Sequence, residues 1–452
     1  MKRALIVTTM LVIGLGVGHA QQTGIKNKRP VFGAACKVCP WGAVAEIVKA
    51  ERPPQYFVDE TKLPFNALTG TTTTRLWGVH GGAGYRVEVP ENWNGELVLY
   101  AHGFRGGGLE LTVSNPPIRQ YLIQHGFAWA ASSYATNGYD VTQGVKDSHD
   151  LGTLFNGLVS HPSRVYFTGT SMGGHITGVA IEQFPRAYAG AMPMCGVMGD
   201  NKLFDYFVEN HLVAQTLAGI DVPFPFPANY TATVVPQLRT LFGAPFPTTL
   251  TPLGKTFAAV VENLSGGRRP MFDPGFRFAP TGGNFLLSQG VGFREGTITN
   301  VDTVYQIDAD PALSNEELAL NANILRIDLD PQARHKQGLA GVPAIAGQLS
   351  IPVLSMHTLG DLFVPFSMEQ IYARRAAASG SADLLVTRAI RDVNHCGFNT
   401  VEMERGFADL VNWVSNGVKP AGDDILTPAV VANQNFGCAF TQGAHALAPA
   451  CP

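Results

Sequence analysis

Ser171 stands in Gly169-Thr170-Ser171-Met172-Gly173-Gly174, directly after the apolar run Val165-Tyr166-Phe167-Thr168. Residues His175 to Phe184, which follow, read as a helix. Strand, tight turn between glycines, then helix is the layout of a nucleophile elbow, and the chain contains no other GxSxG. Such a turn strains the serine, so only small residues fit two positions away on either side. It also aims the first amides of the helix at the reacting centre. A hydroxyl held there can attack a carbonyl carbon if a base takes its proton and an acid orients the base.

Those partners follow in the order Ser, acid, His. Asp361 lies in Gly360-Asp361-Leu362-Phe363-Val364-Pro365, after the apolar run Ile351 to His357. His395 lies in Val393-Asn394-His395-Cys396-Gly397, after the strand-like run Leu384 to Ile390. Taken singly, Asp361 could cap the next helix, and His395 could be an ordinary loop residue. Their order, and their position beyond strand ends where an open parallel sheet gathers its site, make them acid and base. Asp392 is a weaker acid, being three residues from His395 on one loop. Among other histidines, His357 falls in the strand of the acid and His335 in a later insertion. His149, His161 and His175 fall beside the serine unit, where only His175 is placed to line the site. The oxyanion of a tetrahedral intermediate needs fixed amides. Met172 supplies one, and the loop His102-Gly103-Phe104 supplies the other through Phe104, with His102 packing beneath the loop.

The elements that must hold these residues alternate. Tyr85 to Val89 reads as a half-buried strand, and Glu96 to Ala101 and Phe127 to Ser132 as strands covered on both faces. Helices suit Ile118 to Gln124 and Gln143 to Leu158. Ala187 to Cys195 reads as the strand after the serine helix. The pattern stops there and resumes at Ile351, continuing through a helix at Ser367 to Ala378 and a last helix at Val401 to Val414. Strands alternating with helices imply an open, mostly parallel α/β sheet. The expected organisation is a signal segment at 1–20, an N-terminal arm at 21–75, core at 76–196 and 350–418, an insertion at 197–349 and a tail at 419–452. The insertion carries Pro-aromatic patches such as Val222 to Pro227 and Phe276-Arg277-Phe278, which suits a lid over a substrate pocket.

The chain has 452 residues, a net charge of −3, 45% apolar and 15% charged residues. That is a globular composition without the basic stripe of a nucleic-acid binder. Lys2 and Arg3, the apolar run Ala4 to Val17 and the small residues Gly18 and Ala20 read as a cleavable secretory signal, too short for a membrane span. The expected location is periplasmic or secreted, where cysteines pair. Cys438 and Cys451 could close a C-terminal loop, and Cys195 with Cys396 could tie down the loop of His395. Cys36 and Cys39 form a CxxC read as structural. No zinc or cofactor motif occurs, so the chemistry needs no cofactor. The Asp308/Asp310 and Asp328/Asp330 pairs could hold calcium, but read as solvated loops without an EF-hand pattern.

His102-Gly103-Phe104, the Gly169 to Gly173 turn, Gly360-Asp361 with Val364-Pro365, and His395 together resemble the α/β-hydrolase superfamily. The resemblance spans about residues 77–195 and 351–416, and implies a lid between the sixth and seventh core strands. Within the superfamily the chain is similar to exported bacterial esterases, and His395-Cys396 is similar to the His-Cys step of tannases and feruloyl esterases. In that group a cysteine just before the nucleophile pairs with the one after the histidine. Thr170 occupies that position here, leaving Cys195 as a substitute partner. The resemblance implies ester hydrolysis through an acyl-enzyme, lost as His395 becomes protonated. Bulky, aromatic or oligomeric esters are the expected substrates. A peptidase of the same fold is the first alternative, and a binding protein on an inactive scaffold the second.

Overall fold

The computed structural model describes residues 55–243, 250–333, 339–448 and Cys451. The signal segment, Cys36, Cys39 and His335 lie outside the described residues.

One eight-stranded sheet organises the chain. Its strands are β1 (Thr73–His80), β2 (Ala83–Pro90), β3 (Glu96–Ala101), β4 (Ala128–Ser132), β5 (Arg164–Thr170), β6 (Gly190–Met194), β7 (Val353–Thr358) and β8 (Leu385–Ile390). They lie in the order β1-β2-β4-β3-β5-β6-β7-β8. Pairing is parallel from β4 through β8, and β2 runs antiparallel to both its neighbours. Every residue of β3, β4, β6, β7 and β8 is buried, as parallel strands covered on both faces require. β1 begins at Thr73, earlier than the sequence suggests. It is an edge strand with no buried residue, so its threonines carry no burial signal. A two-residue strand, Phe57–Val58, pairs with Glu110–Leu111 outside the main sheet.

Helices cover both faces. α1 (Arg119–Gln124) and α9 (Thr400–Asn416) pack on one side with Tyr166, Met192 and Leu354. On α9 the buried Met403, Phe407, Leu410 and Trp413 recur at helical spacing. Asn399 and Glu402 form a capping box at its start. α2 (Val141–Leu158) and α3 (Met172–Gln183) cover the other side, joined by Tyr372 of α8 (Ser367–Ala378). This is the three-layer sandwich of the α/β-hydrolase fold.

The segment between β6 and β7 builds a core of its own. α4 (Lys202–Ala218), α5 (Val235–Phe242), α6 (Pro252–Leu264) and α7 (Asn315–Asn323) surround Phe207, Tyr230, Phe242, Phe257 and Tyr305, all buried. Ser314 and Glu317 cap α7 as a capping box. Asp308, Asp310, Asp328 and Asp330 each use one carboxylate oxygen to accept a nearby backbone N–H, so they close turns.

Candidate active site

Three parallel strands of one half of the sheet, β5, β7 and β8, with β6 between the first two, end at the site. Ser171 follows β5, Asp361 lies three residues past β7, and His395 five residues past β8. Ser171 takes φ 58° and ψ −122°, a left-handed conformation that costs a non-glycine residue about 1–3 kcal/mol. Its amide donates to Met194 O at 3.0 Å, which fixes the turn against β6.

The turn closes only because its neighbours lack side chains. A Cβ on Gly169 would stand 2.1 Å from Gly173 O, and one on Gly173 would stand 2.1 Å from Ala101 O. Those obstacles are backbone and cannot swing aside. Gly173→Ala is therefore expected to destabilise the fold by about 3 kcal/mol or more, seen as a lowered urea midpoint or loss of soluble protein.

The side chains form one hydrogen-bonded line. Ser171 Oγ lies 2.8 Å from His395 Nε2, and His395 Nδ1 lies 2.6 Å from Asp361 Oδ2. Asp361 is fully buried, and its Oδ1 accepts the amides of Phe363 at 2.9 Å and Val364 at 3.1 Å. The carboxylate therefore caps its own turn with one oxygen and serves His395 with the other. The cap reading and the acid reading describe a single residue.

The loop after β3 runs beside the serine. A Cβ on Gly103 would lie 3.0 Å from Ser171 Cβ. His102 packs beneath that loop as expected. It stacks on Tyr134, with Nδ1 2.7 Å from Gly103 O and Nε2 3.2 Å from Ser133 O. Burial first, then the charge of Arg105, push its pKa down to about 4, so it stays neutral. Met172 is the first residue of α3, and the leading amides of a helix have no intrahelical acceptor. Phe104 continues the Gly103 loop, with its ring half exposed.

Cys195, at the end of β6, is bonded to Cys396 beside His395, and Cys438 is bonded to Cys451. The first bond ties the His395 loop to the end of the strand beside β5 rather than to the turn that carries Ser171. Thr170, where the tannase-like pattern has cysteine, instead meets Tyr100 OH through Oγ1 at 3.1 Å. Among the described residues, the one trio of potential metal-ligating groups is Cys195, Cys396 and His395, and its sulfurs are spent in the disulfide.

Other singled-out residues have separate tasks. His175 does not line the site: it is fully buried, with Nε2 2.8 Å from Pro343 O and Nδ1 3.0 Å from Tyr139 OH. It thus anchors the chain returning towards β7. Asp392 is not the partner of His395; its Oδ2 holds His445 at 2.7 Å. His357 is buried 3.9 Å from Asp361 and 3.8 Å from Glu369. Burial alone would lower its pKa, but Glu369 and Asp361 outweigh that and raise it.

The inserted segment reaches the site through aromatic rings. Phe363 meets His395 edge-on at 5.1 Å, and is itself stacked by Phe207 and met edge-on by Phe285. Arg269, from the same segment, is buried and donates from Nε to Leu359 O at 2.7 Å, two residues before Asp361. Sequence patterns give no sign of Arg269 or His445, because each acts through contacts across long sequence separations.

Ser171 in its strained strand-to-helix turn, buried Asp361 and His395 thus meet at the carboxyl ends of β5, β7 and β8 of an α/β-hydrolase sheet. No protein-family profile matches the chain. It is similar to o-phthalyl amidase from Xanthobacter agilis, 21% identical over 427 residues covering 81% of this chain and 92% of the amidase. It is also similar to acetylxylan esterase A from Emericella nidulans, 27% identical over 128 residues, 25% of this chain and 42% of the esterase. Among solved structures it resembles feruloyl esterase B from Aspergillus oryzae, with a TM-score of 0.47, 13% identity and 82% and 86% of the two chains covered. The likenesses to the amidase and the acetylxylan esterase support a hydrolase.

Proposed function

We propose that the chain is a serine hydrolase that cleaves carboxylic esters through an acyl-enzyme. The unbroken line from Ser171 Oγ to His395 to buried Asp361 carries this reading. Ser171 attacks the acyl carbon while His395 Nε2 takes its proton. Asp361 holds Nδ1–H, which selects the tautomer with a free Nε2 and stabilises the imidazolium. The amides of Met172 and Phe104 receive the oxyanion, each lowering the barrier by about 3–4 kcal/mol by analogy with other oxyanion holes. His395 then gives its proton to the departing alcohol, and water activated by the same imidazole releases the acid.

Residues 197–349 act as the lid. Support comes from Phe207 and Phe285, which bring apolar rings to Phe363 and so to the edge of His395. Rings there favour a bulky or aromatic ester group. Two disulfides suit an oxidising compartment, in line with export by the segment 1–20. Among the described residues no helix is long and apolar enough to cross a membrane.

Amide hydrolysis is the second reading, favoured by the similarity to o-phthalyl amidase over most of both chains. The two separate on a panel of aryl esters and matched anilides assayed with the mature protein. The expected result is kcat/KM for the ester at least about 100-fold above the amide. Equal or better turnover of the anilide would instead make the chain an amidase.

A further inference from the structure

The tail after α9 folds back over the loop that carries His395. Arg391 donates from one guanidinium nitrogen to Gln434 O at 2.8 Å and Phe436 O at 3.1 Å. Its own amide donates to Thr441 Oγ1 at 2.9 Å. The Asn399 amide side chain donates to Gln442 O, and the Gln442 amide donates to Glu402 Oε1 at 2.8 Å. Beneath these bonds Val431 and Phe436 pack with Leu359 and Val393.

His445 closes the arrangement. Its Nδ1 lies 2.7 Å from Asp392 Oδ2, its Nε2 lies 2.9 Å from Glu402 Oε1, and its side chain is 5% exposed. Each carboxylate uses its second oxygen on the histidine loop itself. Asp392 Oδ1 accepts Asn394 N at 2.6 Å, and Glu402 Oε2 accepts Asn399 N at 2.9 Å. The two acids thus bracket His395 from both sides in sequence, and one imidazole joins them. A neutral imidazole has a single N–H, whereas a carboxylate only accepts. Both contacts are satisfied together by an imidazolium.

We propose that His445 is a positioning residue, whose imidazolium buckles the C-terminal tail onto residues 391–402 and so holds His395 within reach of the Ser171 proton. The proposal rests on the reading of Ser171 and His395 as nucleophile and base. Asp392, from the loop after β8, and Glu402, from α9, are the titratable groups that face His445 among the described residues. Burial alone would lower its pKa, but these two acids outweigh burial and raise it. The sign follows from that direction. Below the ordinary value near ~6.5 the buckle contributes its full stabilisation, and the contribution is lost as pH rises through the raised value. The buckle therefore opens on the alkaline side.

The test uses the full chain, p-nitrophenyl butyrate as probe, and pH from ~6 to ~10. His445→Gln should lower kcat about 10- to 100-fold with KM within about twofold, and should abolish the alkaline limb. His445→Lys keeps the charge, so it should restore part of kcat and move that limb upward, towards the lysine value near ~10.4. Hydrogen exchange of peptides spanning 391–402, corrected for intrinsic rates, should be faster in His445→Gln and should rise with pH in the wild type. A structural role alone would lower the melting temperature without moving the limb. Wild-type kcat, alkaline limb and exchange in His445→Gln would overturn the proposal. Equal ester turnover by Ser171→Ala and wild type would instead overturn the hydrolase reading, while exchange still decides on the buckle.

Discussion

Ser171→Ala is expected to lower kcat for ester hydrolysis by about 10⁵- to 10⁶-fold and to abolish labelling by an aryl phosphonate. The size follows from the division of labour in the site. Removing the hydroxyl removes the acyl-enzyme route, but leaves the Met172 and Phe104 amides and the apolar surroundings in place. Residual acceleration over water of about 10³- to 10⁴-fold should therefore persist. The substitution also relieves little strain, because alanine at φ 58° is no more comfortable than serine. The measurement is kcat by stopped assay at high enzyme, with melting temperature as a check on folding. Undiminished labelling of the variant would place the nucleophile elsewhere.

Asp361→Asn is expected to cost about 10⁴-fold in kcat while leaving the fold intact. The amide can still accept from Phe363 and Val364 through its oxygen, so the turn keeps its cap. What it loses is an acceptor of fixed charge 2.6 Å from His395 Nδ1. An amide NH₂ facing that nitrogen selects the tautomer with Nε2 protonated, which cannot take the Ser171 proton. Asp392→Asn supplies the contrast. That residue bonds Asn394 and His445, so its loss should reach only about 10- to 100-fold, through misplacement of the loop. A larger loss in Asp392→Asn than in Asp361→Asn would reverse the assignment of the acid. Both are read from kcat across pH on one ester, with KM recorded separately.

Much of this architecture was legible in the chain. Parallel strands covered on both faces are buried throughout, the edge strand β8 included, so β3, β4, β6, β7 and β8 appear as short, mostly apolar runs between turn residues. The elbow was legible because its geometry restricts residue type. With backbone carbonyls 2.1 Å from where Cβ atoms would stand, only glycine fits at 169 and 173. Asp361 and His395 were legible because strand ends of a parallel sheet converge, so order along the chain becomes proximity in space. β1 was less legible, since an exposed edge strand needs no apolar alternation.

Local geometry and burial restrict which residue types can stand in the strands and at the elbow, so the fold, the elbow and the order of Ser171, Asp361 and His395 can be read from the chain. Packing in three dimensions sets Asp361 against His395 and gives Asp392 a different partner, His445. It also decided that Cys396 is joined to Cys195, that Phe363 links the inserted rings to His395, and that His445 lies between Asp392 and Glu402. These contacts join residues dozens to hundreds of positions apart. A pair held by packing rather than by backbone geometry leaves no spacing to read in the chain.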